Sequence, residues 1–156
     1  MNRHTKGNTI IEIVIVIAIL VLILAVLVPA ISSFREKQLL RNTAEEVKVL
    51  LNEARINTLG AKNGTFYSVR FDATRAVLFT GSTFVGSDPN NKIITFDTKV
   101  TLPSANISLQ GSGIDVTFSR LTGNVSTYGT ITLELVSDPA SRKIITINQL
   151  GVISVN

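Results

Sequence analysis

The amino-terminal third of the chain contains two successive apolar patterns, and the first is nearly uninterrupted. Sixteen residues from Ile13 to Val28 pass without a polar side chain, within an apolar span of 23 residues from Thr9 to Ile31. As a helix with a rise of about 1.5 Å per residue, this span is roughly 34 Å long, enough for a hydrocarbon core of about 30 Å. The pattern therefore predicts a transmembrane helix over residues 8–31.

The second pattern repeats apolar residues every three or four positions, as on one face of a helix. This stripe consists of Leu40, Ala44, Val47, Leu51, Ala54 and Thr58. The opposite face carries Arg41, Glu45, Lys48, Asn52 and Arg55. Because Gly60 ends the pattern, we expect an amphipathic helix over residues 32–60 whose stripe packs on a domain.

The continuity of the two helical parts stays open at this point. Ser33 precedes Glu36 by three positions and Thr43 precedes Glu46 by three, and both pairs fit a capping box. If either pair starts a new helix, the helix is interrupted between the apolar part and the amphipathic part. If neither does, residues 9–59 form one helix of roughly 75 Å.

Residues 61–156 contain short strand patterns separated by turns rich in Gly, Asn, Asp and Pro. TFYSVRF and AVLFTGS are joined by DATR and predict a hairpin. Ile131, Leu133 and Leu135 alternate with polar residues, as in a sheet with one wet face. Further strands are expected at KIITFD, VTL, NISL, IDVTFS, TITLELVS, RKIITIN and VISVN. We therefore predict an α+β fold, with a long amino-terminal helix packed on a small antiparallel β-sandwich.

Composition limits the chemistry of this domain. The chain has no cysteine, and its one histidine, His4, precedes the apolar run, so disulfides, thiolate chemistry and multi-histidine metal sites are not expected. The aspartates in the second half all fall at expected turns or strand ends, where aspartate is common for backbone reasons: Asp72, Asp88, Asp97, Asp115 and Asp138. We expect no enzyme, no cofactor and no metal site.

The charged residues before the apolar run predict its orientation in the membrane, and the charged residue within it, Glu12, requires an explanation. Arg3 and Lys6 precede the run without an acidic residue, which keeps the amino terminus in the cytoplasm and places the carboxy-terminal domain outside. We expect a single-pass protein of the cytoplasmic (inner) membrane. Glu12, however, lies inside the run, where a charge at membrane depth costs several kcal/mol unless it is paired.

Two ordinary explanations of this segment are a cleaved secretory signal and a plain membrane anchor. Secretory signals have apolar regions of about 7–15 residues and a small-residue cleavage site. Here the run is longer and continues as LVPAISSFREK without such a site. A plain anchor accounts for the length of the run but leaves Glu12 unexplained.

The segment KGNTIIEIVIVIAILVLILAVLVP resembles the amino-terminal signature of type IV pilins and type II secretion pseudopilins. In that family a prepilin peptidase cuts after the glycine of a short basic leader, and the new amino terminus is methylated. The fifth mature residue is glutamate and the twenty-second is proline. Counted from Gly7, Glu12 and Pro29 fall in this register, whereas Asn8 stands where the family usually has phenylalanine or another bulky apolar residue.

This resemblance implies roles for individual residues. It implies a leader over residues 1–7 with Arg3 and Lys6 as its charges, cleavage between Gly7 and Asn8, and methylation of Asn8. Glu12 would pair with a mature amino terminus, commonly that of a neighbouring subunit, during filament assembly. Pro29, which cannot donate a hydrogen bond to the carbonyl of Ala25, is predicted to kink or loosen the helix.

The domain resembles the GspH/FimT group of minor pseudopilins, whose domain is a helix against two sheets. The resemblance rests on LLNEARINTLGAKNG, VTFSRLTGNV, TITLEL and RKIITINQLGVISV, in which Gly123 and Gly151 are interpreted as ordinary turn glycines. It implies a minor structural subunit of a type IV pilus or a type II secretion-like filament, extracted from the membrane into a periplasmic or cell-surface filament. The implied partners are other pilins or pseudopilins, the prepilin peptidase, an inner-membrane assembly platform and the lipid bilayer.

Two alternatives to this function stay open. A competence-type minor pilin of the FimT kind would bind DNA, and members of that group that do so use a basic carboxy-terminal end. Here no Lys or Arg follows Lys143, and the net charge of +4 is not concentrated in a basic cluster, so DNA is not expected as a partner. A membrane-anchored exported domain that belongs to no filament is the second alternative.

Overall fold

The structure is a computed structural model that describes residues 9–111 and 113–156, with residues 26–30 described by their backbone alone. The chain divides into two compact units, Met1–Arg35 and Glu36–Asn156. A single helix, α1, spans Ile10–Leu59 and includes both of the predicted helical parts.

Neither capping-box pair interrupts α1, which settles the continuity that the sequence left open. Ser33 and Thr43 both lie inside the helix. The hydroxyl of Thr43 donates a hydrogen bond to the carbonyl of Leu39 at 3.0 Å, a bond typical of threonine in a helix interior. The helix also continues through Pro29; the kink or loosening expected there stays a prediction.

No helix in the part of the chain that the structure describes is long and apolar enough to cross a membrane. The transmembrane span predicted over residues 8–31 is therefore not supported by the described residues.

Within residues 61–111 and 113–156, nine strands form two antiparallel sheets. The first sheet has the order β3-β2-β1-β6 and consists of β1 (Tyr67–Asp72), β2 (Arg75–Thr80), β3 (Lys92–Thr95) and β6 (Asp115–Thr117). The second has the order β4-β7-β8-β9, with β5 also paired to β7, and consists of β4 (Val100–Thr101), β5 (Ile107–Gln110), β7 (Tyr128–Leu135), β8 (Arg142–Ile147) and β9 (Ile153–Val155). Short 3-10 helices lie at Lys62–Gly64 and Ser104–Asn106.

The strand register confirms the predicted hairpin and the predicted alternation. Asp72 pairs with Arg75, so β1 and β2 are joined by a two-residue turn. In β7, Ile131, Leu133 and Leu135 are buried, while the residues between them are half-buried. One side of β7 pairs with β8, and the other pairs with β4 and β5.

The core lies where the helix stripe meets the two sheets. All six residues of the predicted stripe are at most 3% exposed. The five apolar members of the stripe share one cluster with Val69 and Phe71 of the first sheet and with Ile131 and Ile145 of the second. The predicted α+β fold, a long helix packed on an antiparallel β domain, is confirmed.

The carboxy-terminal end of α1 is hydrogen-bonded to the first sheet through Thr58. Its buried hydroxyl donates to the carbonyl of Ala54 at 2.8 Å and accepts the backbone N–H of Tyr67 at 2.9 Å. One side chain therefore satisfies groups on both elements and fixes where β1 starts relative to the helix.

Gly123 and Gly151 do more than form turns, so their interpretation as ordinary turn residues is incomplete. Both are buried and have positive φ, 68° and 73°. A Cβ atom added to Gly151 would collide with the carbonyl oxygen of Gly123 and lie 3.1 Å from Nε of Arg55. A Cβ atom on Gly123 would lie 3.2 Å from both Arg55 and Leu59. The loops after β6 and β8 thus pack on each other and on the end of α1.

Candidate filament-assembly surface

The amino-terminal part of α1 presents apolar side chains around its whole circumference. Every Ile, Leu and Val from Ile10 to Leu24 is between 49% and 83% exposed. A helix that is apolar on all sides is normally covered by a protein core or by lipid, and a large exposed apolar surface marks an interaction site. This part of α1 therefore requires an apolar environment supplied by something other than the unit to which it belongs.

Glu12 is the charged residue of this surface and lies in the first turn of α1. The helix begins at the carbonyl of Thr9, which accepts the backbone N–H groups of Glu12 at 3.0 Å and Ile13 at 3.3 Å. A carboxylate in the first turn interacts favourably with the helix dipole, by about 0.3–1 kcal/mol. The Glu12 side chain is exposed and has no hydrogen-bond or ion-pair partner within residues 9–111 and 113–156. Any charged partner would have to come from outside these residues.

The other residues that the sequence predicted to be functional are the two leader charges, the cleavage and methylation site, and Pro29. Arg3, Lys6, Gly7 and Asn8 lie outside the described residues. The leader charges, the cleavage site and the methylation site therefore stay predictions. Pro29 lies on α1, seventeen positions after Glu12.

Another carboxylate, Glu36, lies where α1 enters the domain and connects the helix to residues that flank strands of the second sheet. It accepts hydrogen bonds from the ammonium group of Lys99 at 2.9 Å and from the hydroxyl of Ser137 at 2.7 Å. Lys99 directly precedes β4, and Ser137 follows β7. The hydrogen bond from Ser137, together with Lys99, lowers the pKa of Glu36 from its ordinary value of 4.5.

This lowered pKa predicts the direction of a pH effect. A carboxylate whose pKa is lower in the folded state contributes stability that is present above its unfolded pKa and is lost as the pH falls through its folded pKa. Between pH 5 and pH 3, we expect the melting temperature of the wild type to fall more than that of Glu36→Gln. The measurement is thermal unfolding followed by tyrosine fluorescence.

Glu46→Gln is the matched control, because Glu46 is exposed and has no ion pair among the described residues. It should follow the pH dependence of the wild type. Identical curves for the wild type and Glu36→Gln would contradict a stabilising role of the Glu36 contacts.

A cavity in the domain is lined mainly by polar and charged side chains, two of which form an ion pair. This cavity of about 410 Å³ lies between the end of α1 and the first sheet, and its lining includes Glu53, Tyr67, Asp88 and Lys92. The Lys92 and Glu53 side chains form an ion pair at 2.6 Å, and Asp88 accepts the backbone N–H of Asn90 at 2.9 Å. Within the described residues, no group of three or more His, Cys, Asp or Glu side chains could hold a metal ion.

Comparisons with known proteins bear on the fold. Neither a protein-family model nor a curated protein sequence matches the chain. Among solved structures, it is similar to the type IV minor pilin FimU of Pseudomonas aeruginosa strain PAO1, with a TM-score of 0.55 and 15% sequence identity. The match covers 75% of this chain and 92% of that one. At this level of identity the likeness shows the fold alone, which is pilin-like.

Proposed function

We propose that this protein is a structural subunit of a type IV pilus or a type II secretion-like filament, assembled through the amino-terminal part of α1. The observation that carries the proposal is the apolar surface from Ile10 to Leu24, exposed on all sides, on a chain whose fold is pilin-like. Lipid tails cover this surface while the subunit is in the cytoplasmic membrane. The helices of neighbouring pilins or pseudopilins cover it in the filament.

Glu12 is the group that distinguishes these two environments. Lipid tails are as apolar as leucine, so moving an aliphatic side chain from the bilayer into a bundle of helices changes its free energy little. A carboxylate is different, because neither environment satisfies it without a partner. A mature amino terminus supplies this partner at one axial position of the incoming subunit. The pairing therefore selects the register of assembly.

This proposal includes the finer assignments that the resemblance implies. The prepilin peptidase removes residues 1–7, the assembly platform receives the mature subunit, and residues 36–156 lie outside the cytoplasmic membrane. A helix against two sheets, as observed, is the architecture of the GspH/FimT group and supports placing the chain there. A plain anchor does not explain a carboxylate at Glu12 in register with Gly7 and Pro29, and DNA binding is not expected because no Lys or Arg follows Lys143.

Processing is the first test of the proposal. We expect the mature chain to begin at Asn8, because Gly7 positions the leader in the peptidase. The loss of Arg3 and Lys6 lowers the formal net charge by two, from +4 to +2. Intact-mass analysis of membrane or filament material measures the terminus. An uncut Met1 terminus in cells that contain the peptidase would exclude the pilin function, and a Gly7→Leu variant supplies the uncut reference mass.

A further inference from the structure

We propose that an exposed loop of one copy of this chain docks in an apolar groove on the domain of a second copy. The loop, called the knob, is Arg120–Leu121 between β6 and β7. The groove lies between α1 and β3 and is lined by Asn42, Glu45, Glu46, Val49 and Ile94. The inference deepens the proposed filament function and rests on it for its biological setting.

The knob carries the first argument, because it presents an apolar side chain in an unfavourable conformation. Leu121 is 91% exposed, the highest exposure among the large apolar residues of the described chain. Its backbone has φ of 71°, a left-handed conformation that leucine rarely adopts. Strained residues of this kind concentrate at functional contacts, where the surroundings maintain them. Leu121 brings almost no burial to its own domain, so a partner that covers it would supply burial that the domain itself does not.

The groove carries the second argument, because it offers an apolar floor of suitable size. Its volume is about 400 Å³, ample for one leucine side chain. Val49, on the outward side of α1, is 62% exposed, and Ile94 of β3 is half-buried beside it. An apolar side chain entering this groove would cover both of these residues.

Charge complementarity identifies the knob as the occupant of the groove. Glu45 and Glu46 form the acidic rim; Glu45 is paired with Lys48 at 3.2 Å, and Glu46 has no ion pair within the described residues. Arg120, next to Leu121, is exposed and likewise has no ion pair among those residues. A knob of one copy that enters the groove of another therefore brings an arginine to a free glutamate.

The knob and the groove are separate patches at different heights along α1, so one copy can present its knob to a second copy and receive the knob of a third. The loop that carries the knob packs through Gly123 on Arg55 and Leu59, whereas the groove ends at Val49. At about 1.5 Å per residue these positions are roughly 9–15 Å apart along the helix axis. Two different patches that meet head to tail generate a ring if the rotation between copies closes and an open helical series if it does not. The open series is the arrangement that a filament uses.

Crosslinking tests the contact directly, because the natural chain has no cysteine. Two full-length chains with tags of different size are produced together, one with Asn42→Cys in the lining of the groove and the other with Thr122→Cys beside the knob. These positions leave Arg120, Leu121 and Glu46 intact. With a short bis-maleimide we expect a dimer of mixed size in both the membrane and the filament fractions. Val136→Cys replaces Asn42→Cys in the control, since Val136 is 58% exposed and lies outside the groove.

Charge reversal tests the chemistry of the contact on the same background. Glu46→Arg in the groove chain should lower the yield of mixed dimer about two- to fivefold, as expected for an exposed ion pair. Arg120→Glu in the knob chain should then restore it. Leu121→Asn, which keeps a residue tolerant of left-handed backbone, should lower the yield about tenfold or more by removing the apolar contact.

The outcomes separate this inference from the filament function. If both chains enter filaments but form no mixed dimer, or crosslink only to a different protein, docking between copies is wrong and the filament function stands. If the mixed dimer forms and responds to the charge variants while neither chain enters filaments, docking stands and the filament function is wrong. A yield for the Val136→Cys control equal to that of the groove pair would also overturn the docking, since it would indicate random collision.

Discussion

Glu12→Ala should remove this protein from filaments while its amount in the membrane stays unchanged. The variant leaves the amino terminus of a neighbouring subunit buried without a counter-charge. Loss of one partner of a buried pair costs about 3–5 kcal/mol, or roughly a hundredfold to several thousandfold in the equilibrium for incorporation. The measurement is the number of these subunits in sheared filaments relative to the number in the membrane.

Two variants serve as controls for this experiment. Glu12→Gln should have a milder effect than Glu12→Ala, because an amide still accepts a hydrogen bond although it does not neutralise the charge. Val14→Ala shortens a neighbouring apolar side chain, exposed by 58%, and should incorporate nearly normally. Cleavage after Gly7 should continue in all three variants, because the cleavage site precedes them. Equal incorporation of wild type and Glu12→Ala would leave the plain anchor as the better explanation of the apolar segment.

Gly151→Ala should destabilise the domain by about 2–4 kcal/mol, since it combines an unfavourable backbone conformation with a collision. The added methyl group would meet the carbonyl oxygen of Gly123, which belongs to the backbone and cannot move without shifting the loop after β6. Both tyrosines of the chain, Tyr67 and Tyr128, lie in residues 36–156. Urea unfolding followed by tyrosine fluorescence therefore reports on this domain.

Gly64→Ala separates the two contributions. Gly64 has φ of 67°, close to the 73° of Gly151, but a Cβ atom there would have no heavy atom within 4 Å. Gly64→Ala should therefore lower the free energy of unfolding only through its unfavourable backbone conformation, by about 1–2 kcal/mol. If both variants lose the same stability, the close packing of Gly123 and Gly151 does not contribute to the stability of the domain.

The features that the sequence predicted correctly are those encoded by local periodicity. Leu40, Val47 and Ala54 repeat at helical spacing, and each is buried where the stripe meets the sheets. Ile131 and Leu133 alternate with polar residues, and each faces the core. Both signals depend only on which face of an element is buried, so a single sequence is sufficient to read them.

Strand order was not predictable in the same way. β6 pairs with β1 across more than 40 residues, and β4 and β5 share one side of β7. These pairings are decided by packing between distant segments, which has no local period. The same holds for Gly123 and Gly151, whose turn-forming role is local but whose contact with each other is not.

The knob was missed for a different reason. Leu121 lies between Arg120 and Thr122 in a segment with turn residues on both sides, where a large apolar side chain has no core to enter. This conflict between residue type and expected environment was visible in the sequence. A docking role for Leu121 could be inferred only together with the groove, and the groove is formed by α1 and β3, which are distant in the sequence.

The hydrogen bonds of Thr58 have a consequence for the order in which the domain folds. They join the end of α1 to β1 across nine residues, whereas β7 begins about 70 residues later. Closing the shorter loop costs about 2 kcal/mol less conformational entropy than closing the longer one. We therefore expect the end of α1 and the β1–β2 hairpin to form the folding nucleus, with the second sheet adding to it afterwards. A domain built in this order keeps its helix stripe half covered while the carboxy-terminal strands are still unpaired.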